Sequence, residues 1–182
     1  AEGISKKVGK ITVVDLADRI LSSILDDEAA QIVKAHIEKH NIEFILSSSV
    51  NSFSKNTAVL SDGRKIDFDV LVIAVGVRPN VDLIKDINGE IRRGIVVNEL
   101  LETSIPNIYA AGDCCESFDI TVNQNRVLAL LPNAYMQGEC AGINMAGGKK
   151  IFDKAIPMNA IGFFGLHIIT AGSYDGDVYY ER

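Results

Sequence analysis

The stretch "IPNIYAAGDCCE" at residues 105–116 decides how this chain is interpreted. It predicts a turn, then a short apolar strand at residues 107–111, and then Gly112 and Asp113 where that strand ends. In α/β folds, ligands bind at the carboxyl edge of the parallel strands, so an acid placed there is a candidate ligand contact. Cys114 and Cys115 follow directly. Because adjacent cysteines close a disulfide only with strain, we expect both to be structural.

Length, charge and cysteine content exclude several classes of protein. The 182 residues allow one large domain or parts of two, and 47% hydrophobic residues suffice for a core. A net charge of −6, with no run of basic residues longer than a pair, predicts no nucleic-acid partner. No apolar run is long enough to cross a bilayer, which predicts no membrane partner. Three cysteines without zinc spacing predict neither a disulfide framework nor a metal site, and the cytoplasm is the expected compartment.

The first strand of the chain also ends in an acid. "ITVVD" at residues 11–15 predicts a buried parallel strand with Asp15 at its carboxyl end. Such an acid can accept hydrogen bonds from the ribose hydroxyls of a dinucleotide, but it can equally cap a turn, and both interpretations stay open. Arg19 nearby is compatible with the 2′-phosphate of NADP, although we favour NAD.

A helix is expected across "DDEAAQIVKAHIEKHN", residues 26–41. Asp26 or Asp27 can cap it, and its predicted apolar stripe consists of Ile32, Val33 and Ile37. His36 and His40 lie one turn apart, a spacing compatible with a metal ion. Without a third ligand, solvated residues on the polar face are the favoured interpretation.

The middle of the chain predicts strands in "EFILSSSV", "NTAVLS" and "RKIDFDVLVIAVG", with Asp62–Gly63 as a hairpin turn. The continuous apolar run at residues 70–76 predicts a strand that is buried on both faces. Pro79 ends that run and marks a crossover or a domain boundary. Residues 95–98 predict one more short strand.

A second helix is expected in "PNAYMQGECAGINMAGG", residues 132–148, from Pro132 at its start to Gly147 at its end. Gly138, Gly142 and Ala146 recur at four-residue spacing, which predicts close packing of that face against a sheet. After Pro157 the pattern predicts two strands of a further domain.

Three of these stretches together resemble one family. "TSIPNIYAAGDC", residues 103–114, closely resembles the second flavin-binding motif of the pyridine nucleotide–disulfide oxidoreductases. "FDVLVIAVGVRPN", residues 68–80, resembles their crossover from the NAD domain back to the FAD domain. "LLPNAYMQGECAG", residues 130–142, resembles their helix that points at the isoalloxazine ring. The branch it is most similar to contains NADH oxidases, NADH–rubredoxin reductases and nitrite reductase flavoproteins.

The resemblance implies an α/β, three-layer FAD/NAD(P)-binding Rossmann-like fold, here incomplete. It implies that residues 1–78 are the C-terminal part of an NAD-binding domain and residues 79–150 the C-terminal part of an FAD-binding domain. Residues 151–182 would begin an α+β interface domain. No G-x-G-x-x-G loop precedes "ITVVD", so we expect a piece of a longer protein whose absent first strand leaves a gap in the sheet.

The resemblance also assigns cofactor-binding roles. Asp113 would accept a hydrogen bond from a ribityl hydroxyl of FAD, and Gly112 would let the backbone approach the cofactor closely. The positive end of the second helix would face the flavin and stabilise the charge of its reduced form. The other implied contacts are Asn133, Ala134 and Tyr135 at that helix end, Leu130 and Leu131 beside the nicotinamide, and Gly76 beside the bound NAD.

The expected function is therefore an FAD-dependent oxidoreductase that moves a hydride from NAD(P)H to flavin and passes electrons to a small molecule or a redox protein. We expect the parent protein to be a homo-oligomer, and we expect this chain to hold no catalytic residue and to be inactive alone. The alternative is a non-catalytic folded fragment that self-associates. A methyltransferase-like nucleotide fold would explain Asp15 but not the three linked motifs.

Overall fold

The computed structural model describes residues 1–153, 155–174 and 176. They form two compact units with mixed α and β structure. The first unit contains Ala1–Ala74 and Asn159–Thr170, and the second contains Val75–Met158 and Ala171–Ser173.

The first unit begins with a short helix, which a β-α-β arrangement follows. Its elements are α1 (Glu2–Ser5), β1 (Ile11–Val14), α2 (Asp27–Glu38) and β2 (Ile42–Ile45). β1 is parallel, as the sequence predicts, and it pairs with β2 so that Ile11 lies opposite Ile42. Asp26 caps α2, because its side chain accepts a hydrogen bond from the Ala29 backbone N–H at 2.8 Å.

The apolar face of α2 differs from the prediction at one position. Val33 and Ile37 are buried together with Ala30, but Ile32 is 61% exposed. Ile32 is one residue before Val33, so it points about 100° away around the helix and misses the core. The residues of β1 are only half-buried, because β1 has a single neighbouring strand among the described residues.

A three-stranded antiparallel sheet follows β2 in this unit. It contains β3 (Val50–Ser54), β4 (Thr57–Leu60) and β5 (Lys65–Asp67). The predicted Asp62–Gly63 turn joins β4 to β5, and Gly63 adopts φ +84°, which glycine accepts without strain.

The predicted strand at residues 70–76 is wrong. No described residue exchanges a backbone hydrogen bond with residues 69–78, and the large apolar side chains of this segment are exposed, with Val75 reaching 91%. A strand buried on both faces needs neighbouring strands and covering layers. The described residues provide neither for this segment.

The second unit contains α3 (Asp82–Lys85), β6 (Ile95–Val96), β7 (Cys115–Asp119), β8 (Gln124–Arg126) and α4 (Leu131–Met145). β6 lies parallel to β7, and β8 lies antiparallel to it. The core of this unit includes Ile95, Leu101, Cys115, Cys140 and Phe152.

Two predictions for the second unit are wrong. Residues 107–111 form no regular strand; only one isolated bridge, between Glu102 and Tyr109, occurs there. The regular strand begins after the Gly-Asp pair, at Cys115, so Gly112 and Asp113 precede β7.

The glycine face of α4 is also not packed as predicted. Gly138, Gly142 and Ala146 are exposed, and a Cβ added at either glycine would meet no atom within 4 Å. The buried face consists of Asn133, Gln137, Cys140, Ala141 and Asn144.

The two strands predicted after Pro157 are β9 (Met158–Phe163) and β10 (Leu166–Ala171), which pair as a hairpin. Lys154, Asp175 and residues 177–182 lie outside the described residues, so the last part of the predicted domain is not covered.

Candidate functional site

The Gly112–Asp113 pair forms a tight turn immediately before β7. Gly112 has φ +83°, and its carbonyl oxygen accepts the Cys115 backbone N–H at 3.2 Å. An L-residue disfavours this conformation, so the turn requires glycine. Asp113 is exposed at the tip of the turn.

The first turn of α4 carries no side-chain cap. Its N-cap residue, Leu130, is extended, and Pro132 occupies one of the first two helical positions. The first N–H groups of a helix have no intrahelical partner and carry partial positive charge. The start of α4 is therefore suited to an acceptor atom of a ligand, with Leu131 and the 77% exposed Tyr135 beside it.

The turn and the helix start lie against each other. A Cβ placed on Gly112 would lie 3.5 Å from the Ala134 Cβ, and the Gly112 backbone N–H donates to Oε1 of Gln137 at 2.5 Å. The structure thus brings together Gly112, Asp113 and Ala134, three of the residues that the sequence singles out.

Other predicted site residues are placed differently. The Asn133 side chain is buried and its Nδ2 donates to the Ile156 carbonyl at 3.3 Å, so only the Asn133 backbone remains for a ligand. Leu130 is half-buried. Gly76 adopts φ +85° and is exposed, and a Cβ there would meet no atom within 4 Å.

Gln137 is a candidate site residue that the sequence interpretation misses. It is 1% exposed and bonds to the turn, and its Nε2 donates to Ser117 Oγ at 2.9 Å. A usable signal exists in the sequence. Asn133, Gln137 and Asn144 recur on one face of an apolar helix, which is typical of buried amides that bond to neighbouring backbone.

The side chains of the three cysteines are buried or half-buried. All three are free thiols, and burial raises the pKa of Cys115 to about 12. Cys114 Sγ donates to the Ala111 carbonyl at 3.4 Å, and Cys140 Sγ donates to the Lys150 carbonyl at 3.1 Å. A thiol with a raised pKa is a poor nucleophile at neutral pH, so Cys115 is suited to a structural role.

Asp15 lies in the first unit, at the edge of an apolar cavity of about 390 Å³ that Val13, Phe44 and Phe163 help to line. Its Oδ1 accepts the Ala17 backbone N–H at 3.0 Å, which is the turn-cap role. Its Oδ2 accepts no hydrogen bond from any described residue. One oxygen therefore holds the turn, while the other, as far as the described residues go, can accept a hydroxyl donor.

Arg19 is engaged by its own surroundings. Its guanidinium lies 3.3 Å from carboxylate oxygens of both Asp18 and Asp27, and it donates to the Tyr174 hydroxyl at 3.2 Å. Two carboxylates already balance its charge, which reduces what it can offer to a phosphate.

His36 of α2 and His40, which follows the end of that helix, contact the β9–β10 hairpin. The Nε2 of His36 lies 3.1 Å from the Phe163 carbonyl oxygen and 3.3 Å from that of Phe164, and the His40 ring stacks on Phe164 with 3.9 Å between centroids. The expected polar, solvated face therefore has a packing role. Within the described ranges, no three His, Cys, Asp or Glu residues are grouped as metal ligands. In that same part of the chain, no helix combines the length and the apolar character that crossing a membrane requires.

Comparison with known proteins gives consistent matches. The family described as "Pyridine nucleotide-disulphide oxidoreductase" matches residues 1–138. An NADH oxidase of Methanocaldococcus jannaschii is 38% identical over 151 residues, covering 81% of this chain and 34% of that protein. A rubredoxin-NAD(+) reductase of Acinetobacter baylyi is 36% identical over 113 residues, covering 59% of this chain and 29% of that protein.

The solved structure of an NAD-dependent persulfide reductase from A. fulgidus has a TM-score of 0.86 and 28% identity, covering 91% of this chain and 32% of that one. The chain spans about a third of the length of the curated relatives that it matches.

Proposed function

Because this chain belongs to the pyridine nucleotide–disulphide oxidoreductase family, we propose that it forms part of a flavoprotein oxidoreductase that uses FAD and NAD(P)H. Bound FAD would supply the redox chemistry of such an enzyme: it would take up the two electrons of a hydride from NAD(P)H for delivery to an acceptor. The acceptor in this proposal is a small molecule or a redox protein. The observation that supports it best is the meeting of the Gly112–Asp113 turn with the uncapped start of α4.

The residues of this site fit a flavin. Gly112 leaves open the space that a Cβ would fill beside Ala134. Asp113 offers an exposed carboxylate to hydroxyl donors, and the first N–H groups of α4 offer donors to a carbonyl or an anionic ring. Tyr135 would supply apolar surface beside the flavin, Leu130 and Leu131 would do so beside the nicotinamide, and Asn133 would contribute only its backbone.

We further propose that Asp15 serves the nicotinamide nucleotide, because its Oδ2 could accept a ribose hydroxyl. A role for Gly76 beside the bound NAD stays a prediction from the family resemblance. Because Asp18 and Asp27 engage Arg19, we propose NADH over NADPH as the donor. The assignment of residues 1–78 to an NAD domain, 79–150 to an FAD domain and 151–182 to an interface domain remains part of this proposal, as does a cytoplasmic location.

Flavin binding by the purified chain tests the proposal. The chain is mixed with FAD, the excess is removed, and the visible spectrum of the protein fraction is recorded. We expect Asp113→Ala to weaken FAD binding about tenfold, the effect of losing roughly 1.4 kcal/mol of hydrogen bonding. Asp86→Ala removes another exposed acid of the same unit and should leave binding unchanged. Equal binding by wild type and Asp113→Ala would contradict the assigned role of Asp113.

A second candidate function is self-association, and the exposed segment at residues 69–78 favours it. Its sequence, "DVLVIAVGVR", begins with an acid and ends with a base. In an antiparallel pair of two copies centred between Ile73 and Ala74, Asp69 would face the partner subunit's Arg78. Parallel pairing in register would instead place like charges together.

Charge reversal tests this second candidate. In sedimentation velocity, Asp69→Arg alone and Arg78→Asp alone should each shift the chain toward monomer, because like charges then face each other. The double variant should restore the wild-type distribution. A wild-type chain that stays monomeric at high concentration would refute self-association.

A further inference from the structure

Gln137 uses both ends of its buried amide to tie α4 to the chain around the Gly112–Asp113 turn. Oε1 accepts the Gly112 backbone N–H at 2.5 Å and the Cys115 thiol at 3.4 Å. Nε2 donates to Ser117 Oγ at 2.9 Å. Cys115 and Ser117 are two residues apart on β7, so both side chains point to the same face of that strand.

The turn has few other attachments to the helix. Among the described residues, the bond from Gly112 to Gln137 is the only hydrogen bond between residues 111–114 and α4. Gly112 has no side chain with which to pack, and Asp113 points outward. Apart from the packing of Ala111 and Cys114 against the core, the Gln137 side chain is therefore what ties the turn to α4.

The Gly112 N–H sets which way the amide faces, because it can only donate, whereas the Ser117 hydroxyl can donate or accept. With Nε2 directed at Ser117 Oγ, the acceptor oxygen is directed at the Gly112 N–H. A flipped amide would direct donor N–H groups at the Gly112 N–H and at the Cys115 thiol, and an unpaired buried donor carries a free-energy cost. Because burial raises the pKa of Cys115 to about 12, its thiol keeps its proton at neutral pH and can donate it to Oε1 of Gln137 or to the Gly112 carbonyl, both at 3.4 Å.

We propose that Gln137 is a positioning residue of the flavin site: it holds the Gly112–Asp113 turn at the separation from the start of α4 at which both can contact one ligand. This inference rests on the proposed flavin function. It adds a residue that would act through the Gly112 backbone, without touching the cofactor.

The test compares two buried amides of the same helix. Gln137→Leu removes the bond to Gly112 at nearly constant volume. Asn144→Leu removes an amide that bonds the Leu100 and Lys150 backbones near the other end of α4. Both variants leave backbone groups unpaired, so both should lose stability. FAD affinity is measured by flavin fluorescence under conditions where denaturation curves show both variants folded.

We expect Gln137→Leu to weaken FAD binding about tenfold or more, and Asn144→Leu to change it less than about twofold. Gln137→Glu keeps an acceptor at the position of Oε1, so it should recover most of the affinity. A Gln137→Leu chain that binds like wild type overturns the proposal. So does an Asn144→Leu chain that loses as much affinity, because binding would then follow stability.

Amide exchange at Gly112, followed by NMR, gives a readout that needs no flavin. We expect its protection to fall in Gln137→Leu and to persist in Asn144→Leu. If the wild-type chain binds no FAD, the proposed flavin function fails for this chain. The exchange rate of the Gly112 amide alone then tests whether Gln137 holds the turn. Unchanged protection in Gln137→Leu then overturns the positioning role.

Discussion

Replacing Gly112 by alanine separates backbone strain from crowding at the turn. Gly112 has φ +83°, and a Cβ built there would lie 3.5 Å from the Ala134 Cβ, an ordinary van der Waals distance. Crowding therefore adds nothing to the expected cost. The left-handed conformation costs a non-glycine residue about 1–2 kcal/mol, and the lower entropy of the unfolded alanine chain returns about 0.4–1 kcal/mol. The expected net loss of stability is about 1 kcal/mol.

Gly63 provides a matched control in the other unit. Its φ is +84°, nearly the same, and a Cβ there would meet no atom within 4 Å. Gly63→Ala should therefore lose the same ~1 kcal/mol, which corresponds to a midpoint lower by about 2–4 °C in a chain of this length. Thermal denaturation followed by circular dichroism measures this shift, and urea denaturation measures the loss of stability of both variants.

The two variants should differ in cofactor binding. The methyl group of Gly112→Ala would occupy the space between the turn and Ala134, so FAD binding should weaken by about tenfold or more. Gly63→Ala should leave it unchanged. A loss of stability in Gly112→Ala that exceeds the loss in Gly63→Ala by about 2 kcal/mol would refute the argument that the site is uncrowded. No loss in either variant would refute the strain argument.

Three further predictions concern other parts of the chain. At pH 8 a thiol reagent should modify Cys114 before the buried Cys115 and Cys140, and all three should react in urea. If absorbance showed that all three thiols of the folded chain react at the same rate, the burial of Cys115 and Cys140 would be contradicted. Asp119 is buried, which by itself raises its pKa, but hydrogen bonds from Thr121 and Arg126 hold that pKa below its ordinary 3.8. Its carboxylate therefore stabilises the fold above about pH 3.8, and this contribution is lost as the pH falls through the folded pKa. Asp119→Asn should cost about 1–2 kcal/mol at pH 7, and the difference from wild type in urea midpoints should shrink toward pH 3; a constant difference would contradict the pKa direction. His36→Ala should speed amide exchange in the β9–β10 hairpin about fivefold, because the Phe163 and Phe164 carbonyls lose their donor. Exchange in the β3–β5 sheet should stay unchanged, and an equal change in the hairpin and in this sheet would refute the contact.

Local signals predicted several elements correctly because their physical causes lie within a few residues. Asp26 caps α2 by accepting a hydrogen bond from the N–H of Ala29, only three residues later. Gly63 itself adopts the positive φ that its turn requires. Pro132 fits the start of α4 because its fixed φ and missing N–H suit a first helical turn. The linked motifs also led to the family that matches residues 1–138.

Tertiary contacts decided the rest. The apolar run at residues 70–76 has the composition of a buried strand, but a strand forms only where neighbours accept its backbone hydrogen bonds, and none of the described residues does so. The glycine face of α4 has the spacing for close packing, yet the amide face of Gln137 is the buried one. Spacing along a helix identifies which residues share a face, whereas the surrounding chain determines which face is covered. For this reason the family, the Asp62–Gly63 turn and a cap at Asp26 or Asp27 follow from the sequence, whereas the contact of Gln137 with Gly112 follows only from the folded chain.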